Sequence, residues 1–264
     1  MKVLMFGWEF PPHISGGLGT ACAGLTRVLE KEGMDVTFTI PKVHGGERSD
    51  RTTFINASSI PIRQKKEVPA SGAKEAKGAD QPSQKNAEKQ VGKGQTIIEI
   101  PSTLSAYASP SDEASPGLKN WNYSFAADTD QAFYGSSHSS KGQLRGQKQT
   151  GYIKKPYQFS GAYGGNLLKE VERYGGVAAE IARRNSFDVI HAHDWMTYPA
   201  GIAAKEVSGK PLVVHVHATE YDRSGDHIDT RVHALESLGM QKADCVVTVS
   251  QWTKKIAISR YKIP

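Results

Sequence analysis

The chain has 264 residues, room for one large domain or two small ones, because single hydrophobic cores tend to split above roughly 250–300 residues. Its 38% hydrophobic and 23% charged residues, with 10 Tyr, 8 Phe and 4 Trp, form a globular mix that excludes collagen-like, wholly disordered and membrane-bundle classes. The formal net charge of +6 raises the question of a polyanion partner, and where the charge sits answers it.

Lys2–Gly7 reads as a buried strand, too short for a signal segment and interrupted at once by Glu9 and Pro11-Pro12. No run approaches the roughly 18 apolar residues that a spanning helix needs. Only Cys22 and Cys245 are present, so neither a disulfide framework nor a cysteine zinc site can be built, and a reducing cytoplasm is the expected setting. After a Pro/Gly-rich loop, Leu18, Ala21, Cys22, Leu25, Val28 and Leu29 predict one stripe of a helix that Gly33 ends. Val36, Phe38 and Ile40 predict a second strand, closing a βαβ unit over residues 2–40.

Residues from about Lys42 to Gly165 form the irregular part. Gln64–Gln95 holds seven lysines against four acids, half of the chain's positive excess, and its only apolar residues larger than Ala are Val68 and Val91. That composition predicts a flexible, solvated insertion at 64–95. It lacks the interleaved aromatics of a nucleic-acid groove, so no nucleic-acid partner is expected. A short strand at Thr96–Ile100 and a Ser/Gly/Gln-rich stretch at Gly135–Gly151 follow, and Trp121, Tyr123, Phe125, Phe133, Tyr134, Tyr152, Tyr157 and Tyr163 predict that the later half packs onto the domain.

Leu167, Leu168, Val171, Tyr174, Val177, Ala178 and Ile181 then mark a helical stripe. Strands are predicted at Phe187–His193, Pro211–His217 and Cys245–Val249, with helices at Tyr198–Val207, around Ile228–Gln241 and from an N-capping Ser250 to Arg260. Val/Ile-rich strands without alternation that alternate with helices predict a doubly wound, mostly parallel, Rossmann-like α/β sheet.

Two constellations could carry chemistry. Gly16-Gly17-Leu18-Gly19 lies between the first strand and first helix, where glycine permits close backbone approach and the helix start attracts an anion; the GGxG spacing departs from the dinucleotide GxGxxG, and a tight turn is the plain alternative. His191 and His193, followed by Asp194-Trp195, and His215 and His217, followed by Thr219, Glu220, Asp222 and Arg223, sit at strand carboxyl ends. Residues two apart share a strand face, so both pairs are expected to point at one crevice. They could bond sugar hydroxyls, ligate a metal, or be ordinary buried histidines.

Pro11-Pro12-His13-Ile14-Ser15-Gly16-Gly17-Leu18-Gly19, Asp188–Trp195, His215–Glu220 and Val249–Thr253, in that order, resemble the N-terminal domain of glycogen/starch-synthase-like glycosyltransferases over residues 1–40 and about 160–264. The resemblance implies the N-terminal half of a GT-B fold and transfer of a sugar, expected to be glucose, from a nucleoside-diphosphate sugar such as ADP-glucose or UDP-glucose to an α-glucan or other saccharide acceptor, with retention of configuration and without a metal or other cofactor. It places Gly16, Gly17 and Gly19 beside the donor diphosphate, His193 on the transferred sugar with Asp194 and Trp195 positioning it, and His217, Thr219 and Glu220 with Trp195 on the acceptor side. The lysine and acid that flank the glycines of bacterial glycogen synthases are Ile14 and Thr20 here, which moves the match toward the broader glycosyltransferase group. Residues 1–264 are thus expected to be one acceptor-side domain, inactive alone, whose nucleotide-sugar-binding C-terminal domain lies elsewhere in a longer enzyme or on a partner chain. A non-catalytic glucan-binding module and a metal-dependent hydrolase are the alternatives.

Overall fold

The computed structural model describes residues 1–49, 51–65 and 152–264. The predicted flexible insertion, the strand at 96–100, the stretch at 135–151 and the aromatics from Trp121 to Tyr134 lie outside the described residues, apart from Gln64 and Lys65. In chain order the elements are β1 (Lys2–Phe6), α1 (Gly17–Lys31), β2 (Asp35–Ile40), β3 (Thr52–Asn56), β4 (Pro61–Lys65), β5 (Tyr152–Pro156), α2 (Leu167–Arg184), β6 (Val189–His193), α3 (Tyr198–Ser208), β7 (Leu212–Val216), α4 (Glu220–Ser224), α5 (Thr230–Lys242), β8 (Cys245–Thr248) and α6 (Gln251–Tyr261).

Six strands form one sheet in the order β3-β2-β1-β6-β7-β8, every neighbouring pair parallel. The expected doubly wound, Rossmann-like architecture is therefore present. Strand alternation divides the core: Leu4 and Phe6 of β1 pack with α2, α3 and α5 on one face, whereas Val3 and Met5 pack with Cys22 and Ala23 of α1 and with Val36, Phe38 and Ile40 on the other. After β1 the chain moves outward to β2 and β3, and after α2 it restarts on the opposite side at β6. The carboxyl ends of β1 and β6 thus form the switch point at which open α/β sheets bind ligands.

The α2 stripe is buried as predicted, and Tyr174, fully enclosed, donates to the Thr39 carbonyl at 2.7 Å, fastening the crossover helix to the end of β2. Tyr157 and Tyr163 pack on the same core. The α1 stripe is shifted from the expected one: Gly19, Cys22, Ala23, Thr26 and Glu30 are buried, Val28 is 54% exposed, and Gly33 turns the chain at φ +76°. The sheet meets that helix through small residues, so its longer aliphatics lie at the flank.

Four elements escape the periodicity argument. β3 is a half-buried edge strand, β4 and β5 form an antiparallel hairpin between distant segments, and α4 is a single turn or so closed by side-chain bonds.

Close helix crossing gives a test. A Cβ built on Gly239 of α5 overlaps the enclosed Tyr198 ring, whereas one on Gly24 of α1 meets nothing within 4 Å. Gly239→Ala is expected to destabilise by about 1–3 kcal/mol, as overpacking does, and Gly24→Ala to stabilise by about 0.5–1 kcal/mol through helix propensity. Melting temperatures of the two variants check the sign of each.

Candidate functional site

The register of β6 and β7 sets His193 beside His215, with Val189, His191 and His193 on the face shared with α1 and Ile190 and Ala192 on the other. The four histidines form a layer on that face: His191 and His193 stack at 4.3 Å between ring centroids, His215 and His217 at 4.4 Å, and His191 and His215 lie parallel at 5.5 Å. His193 is fully buried, and its Nδ1 lies 3.0 Å from Nε2 of His217. His193 closes β6 and His217 follows β7, while His191 and His215 each lie two residues earlier on their own strand, His215 level with His193. His193 Nε2, His191 Nε2 and His215 Nδ1 are buried without a hydrogen-bond partner among the described residues.

Burial and mutual proximity hold all four rings neutral. His191 is pushed down to about 3, His215 and His217 to about 4, and His193 well below the usual imidazole range. The layer is a stack of uncharged hydrogen-bonding groups.

Asp194 follows β6 in a left-handed backbone conformation, φ +60°, that turns the chain toward α3. Its buried carboxylate accepts from the amides of His217 at 2.7 Å and Ala218 at 3.4 Å, so it fixes the end of β7 against the end of β6 and thereby sets the His193–His217 contact. Burial outweighs these bonds and pushes its pKa up to about 6. Trp195 points into the α2–α3 core at 2% exposure. Thr219 and Glu220 are enclosed as well. The Thr219 amide and hydroxyl bond the Asp222 carboxylate at 2.8 Å, and Glu220 accepts from Ser224 Oγ, the Asp229 amide and Arg223 Nε. Glu236 takes the Glu220 amide, the Tyr261 hydroxyl and Arg223 Nη2. Of the residues expected on the acceptor side, the structure thus brings His217 to the strand ends and ties the others into the fold.

The glycine loop divides in the same way. A Cβ at Gly16 or Gly17 would meet open space, but one at Gly19 would overlap Ile14. Glu9, buried just past β1, accepts from the Ser15 amide at 2.7 Å and the Gly19 amide at 3.1 Å, so a protein carboxylate already occupies part of the α1 start. The sequence did not mark Glu9; its place just beyond a buried strand was the available signal.

Among the described residues, two groups have ligand atoms close enough to hold a metal ion: Cys22, His193 and His217, and His191, His193 and His215. In the first, burial and the nearby Asp194 and Glu9 carboxylates push the Cys22 thiol far up, and His193 and His217 already contact each other.

These shifts fix the sign of the pH dependence. Groups pushed down bind protons in the unfolded chain that the fold refuses, so stability rises with pH from about 4 to 6.5. Asp194 and Glu236, pushed up to about 6 and about 7, and Glu206, raised by burial, act oppositely, but five lowered histidines, His233 included, outnumber three carboxyls. Melting temperature is expected to climb between pH 4.5 and 6.5, with a shallower slope in His191→Phe. A flat or falling profile in the parent protein would contradict the neutral layer.

Residues 2–87 match the family described as Starch synthase catalytic domain, and residues 152–264 match Glycosyltransferase Family 4. An uncharacterized glycosyltransferase of Methanocaldococcus jannaschii is 35% identical over 101 residues, covering 37% of this chain and 25% of the relative. A glycogen synthase of Mycobacterium tuberculosis is 36% identical over 67 residues, covering 24% of this chain and 16% of the relative. The catalytic domain of starch synthase IV from Arabidopsis thaliana, solved with ADP and acarbose, aligns over 99% of this chain and 47% of its own at a TM-score of 0.44 and 14% identity. The matches thus span a quarter or less of the curated relatives' lengths. No described helix is long and apolar enough to cross a membrane. The two family matches, over residues 2–87 and 152–264, and the matched glycogen synthase make this chain similar, over those segments, to glycogen/starch-synthase-like glycosyltransferases.

Proposed function

We propose that residues 1–264 are the acceptor-side unit of a retaining glycosyltransferase that transfers glucose from a nucleoside-diphosphate sugar, such as ADP-glucose or UDP-glucose, to an α-glucan. A second, nucleotide-binding unit, on the same polypeptide or a partner chain, completes the cleft. The reading is supported above all by the convergence, at one switch point, of the open Gly16–Gly17 backbone and the His193–His217 pair.

In this reading the diphosphate approaches α1 over Gly16 and Gly17, where no side chain stands in the way. Gly19 serves the loop's packing. His193 is uncharged, its Nδ1 side is taken by His217, and its buried Nε2 has no partner among the described residues, which leaves that nitrogen to bond a hydroxyl of the transferred sugar. As positive charge develops on the sugar ring and negative charge on the departing diphosphate, a neutral donor–acceptor in a dry site strengthens its bond without repelling the ring. Asp194 acts at one remove by holding the His217 amide.

Anomeric configuration of the product tests retention directly; an inverted product overturns it. In the complete enzyme His193→Ala is expected to lower kcat by about one to three orders of magnitude with a largely intact fold. Near-normal turnover with a reduced melting temperature would make His193 a structural group. The two histidine-containing triads favour a metal-dependent hydrolase as second reading, and stoichiometric zinc or manganese in the purified protein would support it over the first.

A further inference from the structure

The pairing of β6 with β7 sets His193 opposite His215, with His191 two residues earlier on the same face of β6. Their rings gather closely: centroids are 4.3 Å apart for His191 and His193, 5.3 Å for His193 and His215, and 5.5 Å for His191 and His215. One nitrogen of each ring, His191 Nε2, His193 Nε2 and His215 Nδ1, is buried without a hydrogen-bond partner among the described residues. The three rings offer ligand atoms that all lie within 4.8 Å of one another.

Three unmet nitrogens in one small space are costly, because each loses its hydrogen bonds to water and gains none in return. A sugar hydroxyl on His193 meets one of them. His191 and His215 remain, and a metal ion is the single occupant that takes a lone pair from all three rings at once. Zinc binds imidazole nitrogen at about 2.0–2.1 Å, which sets three ligands about 3.3–3.5 Å from one another, so small rotations of the rings close the site. The His191 and His215 side chains are only partly covered, which gives them that freedom and an ion a way in.

The other triad, Cys22, His193 and His217, is less suited, because an ion there would have to break the 3.0 Å contact between His193 and His217. In the three-histidine site that contact is kept and put to use. With the His193 proton on Nδ1 and directed at His217 Nε2, the bare Nε2 faces the ion, which is how an outer partner fixes the tautomer of a ligand. Three imidazoles with no carboxylate among them suit zinc, cobalt, nickel or copper and disfavour magnesium, calcium and manganese.

We propose that His191, His193 and His215 form a binding site for a zinc-class ion, and that its occupancy blocks sugar transfer. The block rests on the transferase reading, since His193 Nε2 cannot serve an ion and a sugar hydroxyl together. The ion is an inhibitor and takes no part in the reaction.

Equilibrium dialysis of the untagged 264-residue chain against zinc, and against cobalt as a coloured probe, reads the site directly. One ion per chain is expected, with cobalt giving the visible bands of a four-coordinate nitrogen site. His191→Phe and His215→Phe are each expected to weaken binding by more than about 10-fold, the loss that even an outer partner of a ligand causes. Cys22→Ala, and His227→Ala at an exposed position, are expected to leave binding unchanged. No binding by the parent chain, indifference to both phenylalanine variants, or a thiolate band that Cys22→Ala removes overturns the site. The parent spectrum decides this even where a variant fails to fold. In the complete enzyme zinc is expected to lower the transfer rate, and His191→Phe and His215→Phe to need at least about 10-fold more zinc for the same fractional loss, each judged against its own zinc-free rate. Equal inhibition of parent and variants overturns the block and leaves the transferase reading intact. Normal transfer with the site filled overturns the block and removes His193 from the reaction. A complete enzyme that binds zinc in this variant pattern but transfers no sugar without it keeps the site and sinks the transferase reading together with the block.

Discussion

Where the parallel strands end, backbone amides leave the sheet ladder and need acceptors, and in this protein buried carboxylates provide them. Asp194 takes the amides that follow β7, Glu9 those that open the glycine loop and α1, and Glu170 those of the turn before α2. A hydrogen bond to a charged acceptor is worth about 1.5–3 kcal/mol, roughly twice a neutral one, which offsets part of the cost of burying the charge. The raised pKa of Asp194 shows that the offset is incomplete there. Rigid loops at the carboxyl edge are thus obtained at some expense in stability, and the switch-point site depends on them.

The two faces of the sheet carry different chemistry at β6 and β7. Ile190, Ala192, Leu212, Val214 and Val216 fill the face covered by α2, α3 and α5, a conventional aliphatic core. The face shared with α1 carries imidazoles instead. Neutral stacked rings tolerate burial because most of their surface is apolar, but each keeps a nitrogen that wants a partner, and three such nitrogens in the layer have none among the described residues. A layer of this kind is a poor stability device. It is well suited to presenting uncharged hydrogen-bond donors and acceptors.

Just past the carboxyl end of β7, Glu220, Arg223, Glu236 and Tyr261 knit α4, α5 and α6 together. The segment that looked ligand-facing in the sequence is thereby revealed as an anchor for the last three helices. Its acidic and basic residues are partnered with one another, and removal of one member would leave a buried charge uncompensated.

The sequence by itself determined the α/β class, because Val/Ile-rich runs such as Val189–His193 and Leu212–Val216 lack the charged alternation of a half-solvated strand and alternate with helical stripes, the pattern of a covered parallel sheet. It also located the glycine loop and the histidine pairs, since spacing two apart on a strand fixes a shared face. It could not rank the histidines: which of them reaches the strand end depends on where β6 and β7 stop and on how Asp194 turns the chain. Nor did it mark Glu9 as the partner of the glycine loop, or β3 as the sixth strand, because no local periodicity links residues that meet only when the elements pack. The order β3-β2-β1-β6-β7-β8 and the sheltering of Trp195, Thr219 and Glu220 were decided by tertiary packing, which assigns each polar side chain to backbone amides, to other side chains or to a ligand according to what lies within about 3 Å of it.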